Sequence, residues 1–137
     1  MICHGDFAPY NSVIRNGDVC GVFDFDTAHP GPRLWGLAYL AYRWVPLTAP
    51  SNPDWSTTLA EQSRRLKLLC TAYGTSEMSE VLHQARLRLL AMVDTIRSMA
   101  ADGHLALQAH LAEGHDKLYL ADADYIDQNR EQILSAQ

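Results

Sequence analysis

The sequence predicts an α+β fold that leans to all-α, a small β-hairpin feeding a helical body. Three observations carry this. Turn signals and β-branched residues mark roughly the first 30 positions. Apolar residues then recur at helical spacing to the end of the chain. Gly and Pro fall between these patterns, where helices stop.

Each element follows in order. "NSVIRNGDVCGVFDF" reads as two short strands joined at Asn16-Gly17, the dipeptide that best suits a two-residue hairpin turn. "HPGPR" breaks the chain, and a first apolar helix is expected over about 34–45. "PLTAPSNPD" is a Pro-rich loop in which Asn52 or Asp54 could cap the next helix. Leu59, Leu66, Leu69, Cys70 and Tyr73 mark that second helix, with Gly74 as its stop. A third helix spans about 76–101. Its stripe is Met78, Val81, Leu82, Ala85, Leu89, Met92, Ile96 and Met99, and Gly103 ends it. A short fourth helix covers about 105–112 and a last one about 116–135. No repeat or low-complexity segment appears. One domain over 1–137 is expected, with the hairpin part at 1–28 and the helical body at 33–137.

Composition narrows the function. Hydrophobic residues make up 47% of the 137, enough for a core. The net charge is −5 with no basic cluster, which argues against nucleic acid as a partner. A neutral or cationic ligand fits better, or an anion brought in with a metal. Cys3, Cys20 and Cys70 are widely spaced and form no CxxC pair, so a reducing compartment is expected. No basic-then-apolar leader follows Met1. The stretch "LWGLAYLAYRWVPL" is short for a membrane span and contains Arg43. A cytoplasmic protein with no membrane partner is expected.

The chemistry-bearing residues crowd the start: His4, Asp6, Asn11, Asp24 and Asp26. In a two-residue hairpin, Arg15 opposes Asp18, Val13 opposes Cys20 and Asn11 opposes Val22. Asn11 and Asp24 then share a face as diagonal neighbours, roughly 7–8 Å apart. Two oxygen donors at that separation suit magnesium, which takes carboxylate and carbonyl oxygens and keeps water or phosphate as further ligands. Asp6 lies at the same open end and can accept a proton from a substrate hydroxyl. Asp26 shares the face of Asp24 and is a further candidate ligand. The plainer reading of any one of these acids is a turn residue, as Asp18 is. The argument rests on their convergence. His29 reads as a loop residue, and His104, His110 and His115 lack the spacing of a helical metal pair.

"HGDFAPYN" has the form H-x-D-x-x-x-x-N and resembles the catalytic loop of kinase-like phosphotransferases. With "GVFDFD" and "GPRLWGLAYLAYRW" it resembles the aminoglycoside phosphotransferase and choline kinase-like family. The tail "GHDKLYLADADYIDQNREQIL" resembles that family's last helix. The resemblance implies a protein-kinase-like C-terminal lobe and a magnesium- and ATP- or GTP-dependent transferase. It implies that Asp6 is the catalytic base, that Asn11 and Asp24 are metal ligands, and that His4 is a structural member of the loop. A small hydroxyl- or amine-bearing acceptor is implied. The family's C-terminal helices form part of the acceptor site, so Asp122, Asp124 and Asp127 become candidates for binding an amine-bearing acceptor, against a solvated helix face.

Two departures stand out. Gly36 replaces an Asp that in the family braces the loop. Only Met1, Ile2 and Cys3 precede the motif, so the nucleotide-covering N-terminal lobe is expected to be missing and catalysis by this chain alone weak or absent. Two other functions compete. One is a non-catalytic module that self-associates as a homodimer or binds a complementing N-lobe chain. The other is a metal-dependent phosphohydrolase built on His4, Asp6, Asp24 and His29.

Overall fold

The structure is a computed structural model that describes residues 1–136. It contains two small antiparallel pairs and five α-helices. Strand β1 (Ile2–Cys3) pairs with β4 (His29–Pro30), and β2 (Ser12–Arg15) pairs with β3 (Asp18–Val22). Then follow α1 (Arg33–Trp44), α2 (Leu59–Tyr73), α3 (Met78–Ala101), α4 (Leu105–Ala112) and α5 (His115–Ser135). The architecture is the α+β arrangement the sequence predicts, and each helix lies within a few residues of its expected span.

Local chemistry explains the boundaries. Asn16 and Gly17 have φ of 53° and 87°, the positive pair a type I′ turn requires. Thr58, not Asn52 or Asp54, caps α2. Its hydroxyl accepts from Glu61 N, while Asn52 Oδ1 instead accepts from Asp54 N within the loop. Gly74 closes α2 in the left-handed region at φ 81°.

The hairpin register departs from the expectation. Arg15 opposes Asp18 and Ile14 opposes Val19, but Val13 then opposes Gly21 and Ser12 opposes Val22. Cys20 is left unpaired in a β-bulge, which shifts everything beyond it by one residue. Asn11 is not a strand residue at all. It ends a 3₁₀ turn, Pro9–Asn11, and its carbonyl accepts from Phe23 N at 3.0 Å. The shared face deduced from strict alternation therefore does not exist.

The core belongs to the helices. Leu37, Tyr42, Leu66, Leu82, Leu89, Ile126 and Ile133 are all buried in one cluster spanning α1, α2, α3 and α5. From the third stripe, Met99 instead lies exposed at the helix end. Asp122 is buried among these residues. Its carboxylate accepts from Tyr42 Oη at 2.7 Å, Ala49 N at 2.7 Å and Asn52 Nδ2 at 2.8 Å, tying α1 and the Pro-rich loop to α5. Burial still raises its pKa above the ordinary value despite these donors. Among the described residues, no helix is long and apolar enough to cross a membrane.

Candidate active site

The loop of His4, Gly5 and Asp6 leads from β1 towards the hairpin, and side chains hold all three of its carbonyls. Thr27 Oγ1 donates to His4 O at 3.2 Å, Arg88 Nη2 to Gly5 O at 2.9 Å, and Asn11 Nδ2 to Asp6 O at 2.9 Å. Gly5 sits at φ 88°, and a Cβ there would collide with the carbonyl oxygen of Thr27. Only glycine meets both demands.

His4 fixes the loop to the segment after β3. Its Nδ1 accepts from Asp6 N at 3.2 Å, so the proton lies on Nε2, which donates to Phe23 O at 2.9 Å. Its ring also packs on Phe25, with centroids 4.5 Å apart. His29 is held likewise. Nδ1–H donates to Thr27 O at 2.8 Å, and Nε2 accepts from Trp35 Nε1 and faces Arg88 Nη1. Neither imidazole keeps a nitrogen for a metal. No group of three His, Cys, Asp or Glu among the described residues could hold one. Among the described residues, His4, Asp6, Asp24 and His29 are thus not brought together as a two-metal set.

Asp6 is the residue around which the polar groups gather. Tyr10 Oη donates to its Oδ1 at 2.6 Å and Asn11 Nδ2 to its Oδ2 at 3.0 Å. From Tyr10 the chain of contacts runs to Tyr39 Oη at 3.5 Å, and Arg43 Nε donates to Tyr39 Oη at 3.1 Å. Desolvation and then the bond to Asp6 hold the Tyr10 phenol above its ordinary pKa. Burial pushes Tyr39 up to about 12. Burial works against the charge of Arg43, but the phenols of Tyr39, Tyr42 and Tyr10 outweigh it and raise its pKa. At neutral pH the tyrosines are therefore donors and Arg43 is a cation.

These groups border a cavity of about 600 Å³ between α1, α3, α4 and the start of α5. Asp6, Arg43 and Arg88 are the residues on its wall that carry full charges, and Trp35, Met92 and Leu107 supply apolar wall. The sequence singled out Asp6 but not its neighbours. Arg43 figured only as an argument against a membrane span. Arg88 escaped notice, although a lone arginine on the apolar side of α3 is itself a signal.

The remaining candidates lie as follows. Asn11 is buried beside Asp6, and its Oδ1 makes no hydrogen bond among the described residues. Asp24 is exposed, makes no side-chain hydrogen bond among the described residues, and takes a left-handed φ of 62°. The bond from Phe23 N to Asn11 O ties Asn11 to the residue before Asp24. Asp26 is exposed in the following turn. The C-terminal acids are elsewhere: Asp122 is in the core, Asp124 is exposed on α5, and Asp127 faces Arg86 at 3.7 Å. None of the three lines the cavity.

At Gly36 the structure accounts for the small residue. A Cβ there would lie 3.1 Å from Cys3 Sγ, so side chains at the two positions compete for one space. The loop is braced instead by Thr27, Arg88 and Asn11.

The loop thus carries His-Gly-Asp with an Asn five residues after the Asp, braced by side chains and opening on a cavity. Residues 1–73 match the model of the APH phosphotransferase enzyme family, and the chain belongs to that family. No curated protein and no solved structure matches it.

Proposed function

We propose that this chain is the acceptor- and metal-binding part of a small-molecule kinase, built as a protein-kinase-like C-terminal lobe and using magnesium with ATP or GTP. The observation that carries the proposal is the carboxylate of Asp6, held on both oxygens at the wall of a cavity large enough for a small molecule. An acceptor hydroxyl entering the cavity would displace or share the Tyr10 bond and give its proton to Asp6. Asn11 and Asp24 fit a hard cation: both are oxygen donors, and neither the Asn11 amide oxygen nor the Asp24 carboxylate is spent on the protein. Bound magnesium would supply charge neutralisation for the transferring phosphoryl group. The left-handed backbone of Asp24 supports a functional position, because such strain is kept where a side chain must be aimed.

Calorimetric titration with magnesium-nucleotide tests this. Binding at about millimolar nucleotide, weakened about tenfold in Asp24→Ala, is expected. A folded chain that takes up no nucleotide, or an Asp24→Ala variant with unchanged metal dependence, would sink the assignment.

One feature favours a second reading, a module that docks on another chain or on itself. Val13, Ile14, Val19, Phe23 and Phe25 are all exposed around the hairpin. Sedimentation of Ile14→Glu against the parent chain separates the readings, since self-association through this face would be lost.

A further inference from the structure

Two side chains narrow the chemistry of the acceptor. Arg43 and Arg88 both border the cavity, and neither meets a carboxylate among the described residues. Arg64, Arg65, Arg86 and Arg97 do. Arg15, Arg33 and Arg130 meet none among the described residues either, but they lie away from the cavity, so Arg43 and Arg88 are the two that bring unmatched charge to its wall. A partly buried cation is normally matched by a counter-charge, because desolvation disfavours it. The rings of Tyr10, Tyr39 and Tyr42, 4.8–5.5 Å from the Arg43 guanidinium, offset part of that cost but accept no N–H in its plane. Arg43 gives Nε to Tyr39 and Nη2 to Tyr119 Oη at 3.4 Å. Its Nη1 has no hydrogen-bond partner among the described residues. Arg88 gives Nη2 to Gly5 O and Nη1 faces His29, while its buried Nε has no hydrogen-bond partner among the described residues. Of the cavity's wall residues only Asp6 is acidic, and both of its oxygens are engaged.

We propose, resting on the kinase reading above, that the acceptor is a hydroxy acid with an apolar, ring-sized body. Its carboxylate lies against Arg43 within the field of Arg88, and its hydroxyl is presented to Asp6. Trp35, Met92 and Leu107 cover the body. A polyamine would bring several positive charges to a wall that already holds two guanidiniums and a single carboxylate. The overall charge of −5 does not bear on this, because the acids of α5 lie away from the cavity.

Three probes of one shape test the proposal on the full chain without nucleotide: para-(hydroxymethyl)benzoate, its neutral diol analogue and para-(hydroxymethyl)benzylamine. Dissociation constants come from ligand-observed NMR. The carboxylate is expected to bind about tenfold or more tightly than the diol, with the amine weakest. Arg43→Gln should erase the difference, and Arg43→Lys, which keeps the charge but not the planar fork, should keep part of it. Thermal unfolding checks that each variant folds. Should Arg43→Gln not fold, the parent chain is read at about 0.5 M salt, where the preference must shrink. Equal binding of all three, tightest binding of the amine, no binding at about millimolar probe, or a preference that survives these changes overturns the proposal. Because no nucleotide is present, failure of the kinase reading leaves this result standing. A chain that binds magnesium-nucleotide but prefers the amine fails here alone.

Discussion

The loop and hairpin of residues 1–32 and the helices that follow are held together by different forces. The helical body is dry: Leu66, Leu82, Leu89 and Ile133 have no exposed surface. The first region has few buried apolar groups. Val13, Ile14, Val19, Phe23 and Phe25 face outward, and its shape comes from side chains bonded to backbone, as His4, Thr27, Asn11 and Arg88 are. Hydrophobic burial is non-directional and tolerates small shifts, whereas a hydrogen bond fixes a position within tenths of an ångström. The chemistry sits where position matters and the stability where area matters.

Breaking either side should leave the other standing. Asp6→Asn should weaken binding of the neutral diol probe by about tenfold, the loss of one hydrogen bond to a charged group, with the unfolding midpoint little changed. Leu82→Ala should do the reverse, costing about 2–5 kcal/mol of stability through a cavity in the core while probe binding at the site persists in the folded fraction. Denaturant melts and diol titrations on both variants give the four numbers. A fully folded Leu82→Ala variant that binds the diol as weakly as Asp6→Asn would erase the distinction. Gly5→Ala sharpens it, since the loop is where local geometry decides. The positive φ and the collision with Thr27 predict a cost of about 1–3 kcal/mol, together with a loss of diol binding that suppressing the unfolding does not restore.

The two regions also differed in how far they could be read from sequence. The helices were legible because a period of 3.6 repeats over many residues, so one misjudged position changes little. The hairpin turn was legible because Asn-Gly is a strong local signal. The register was not. One bulged residue, Cys20, reverses the alternation, and nothing at Cys20 or Gly21 alone announces a bulge. Asp6 came from its motif, but Tyr39 and Arg43 join it from α1 through Tyr10, and Arg88 from α3 through the Gly5 carbonyl. Their role depends on tertiary packing, which no local pattern encodes. Asp122 was misleading for the same reason. An acid near the C-terminus reads as solvated, yet here it is the buried tie between α5, α1 and the Pro-rich loop.

The smallest expected effect lies on the outer face of the helical body, where polar bonds are exposed. Glu61 accepts from Arg64 Nε and Nη2 at 2.8 and 2.7 Å and from Arg65 Nε at 2.8 Å. The bonds from Arg64, then Arg65, hold its carboxyl at about 2, below the ordinary 4.5. A carboxylate with a depressed folded pKa stabilises above its unfolded pKa, and that contribution fades as pH falls from about 4.5 towards 2. Glu61→Gln should therefore flatten this part of the acid-unfolding curve and leave the neutral midpoint nearly unmoved. The difference should shrink further in about 0.5 M salt, because the Arg64 side chain is 64% exposed and screening is effective there. A large change at neutral pH would mean that surface pairs carry the helical body after all. No change at any pH would mean that the two arginines hold Glu61 only loosely in solution. Either result would be read against Asn11 and Arg88, whose bonds in the first region are partly buried and should resist the same salt.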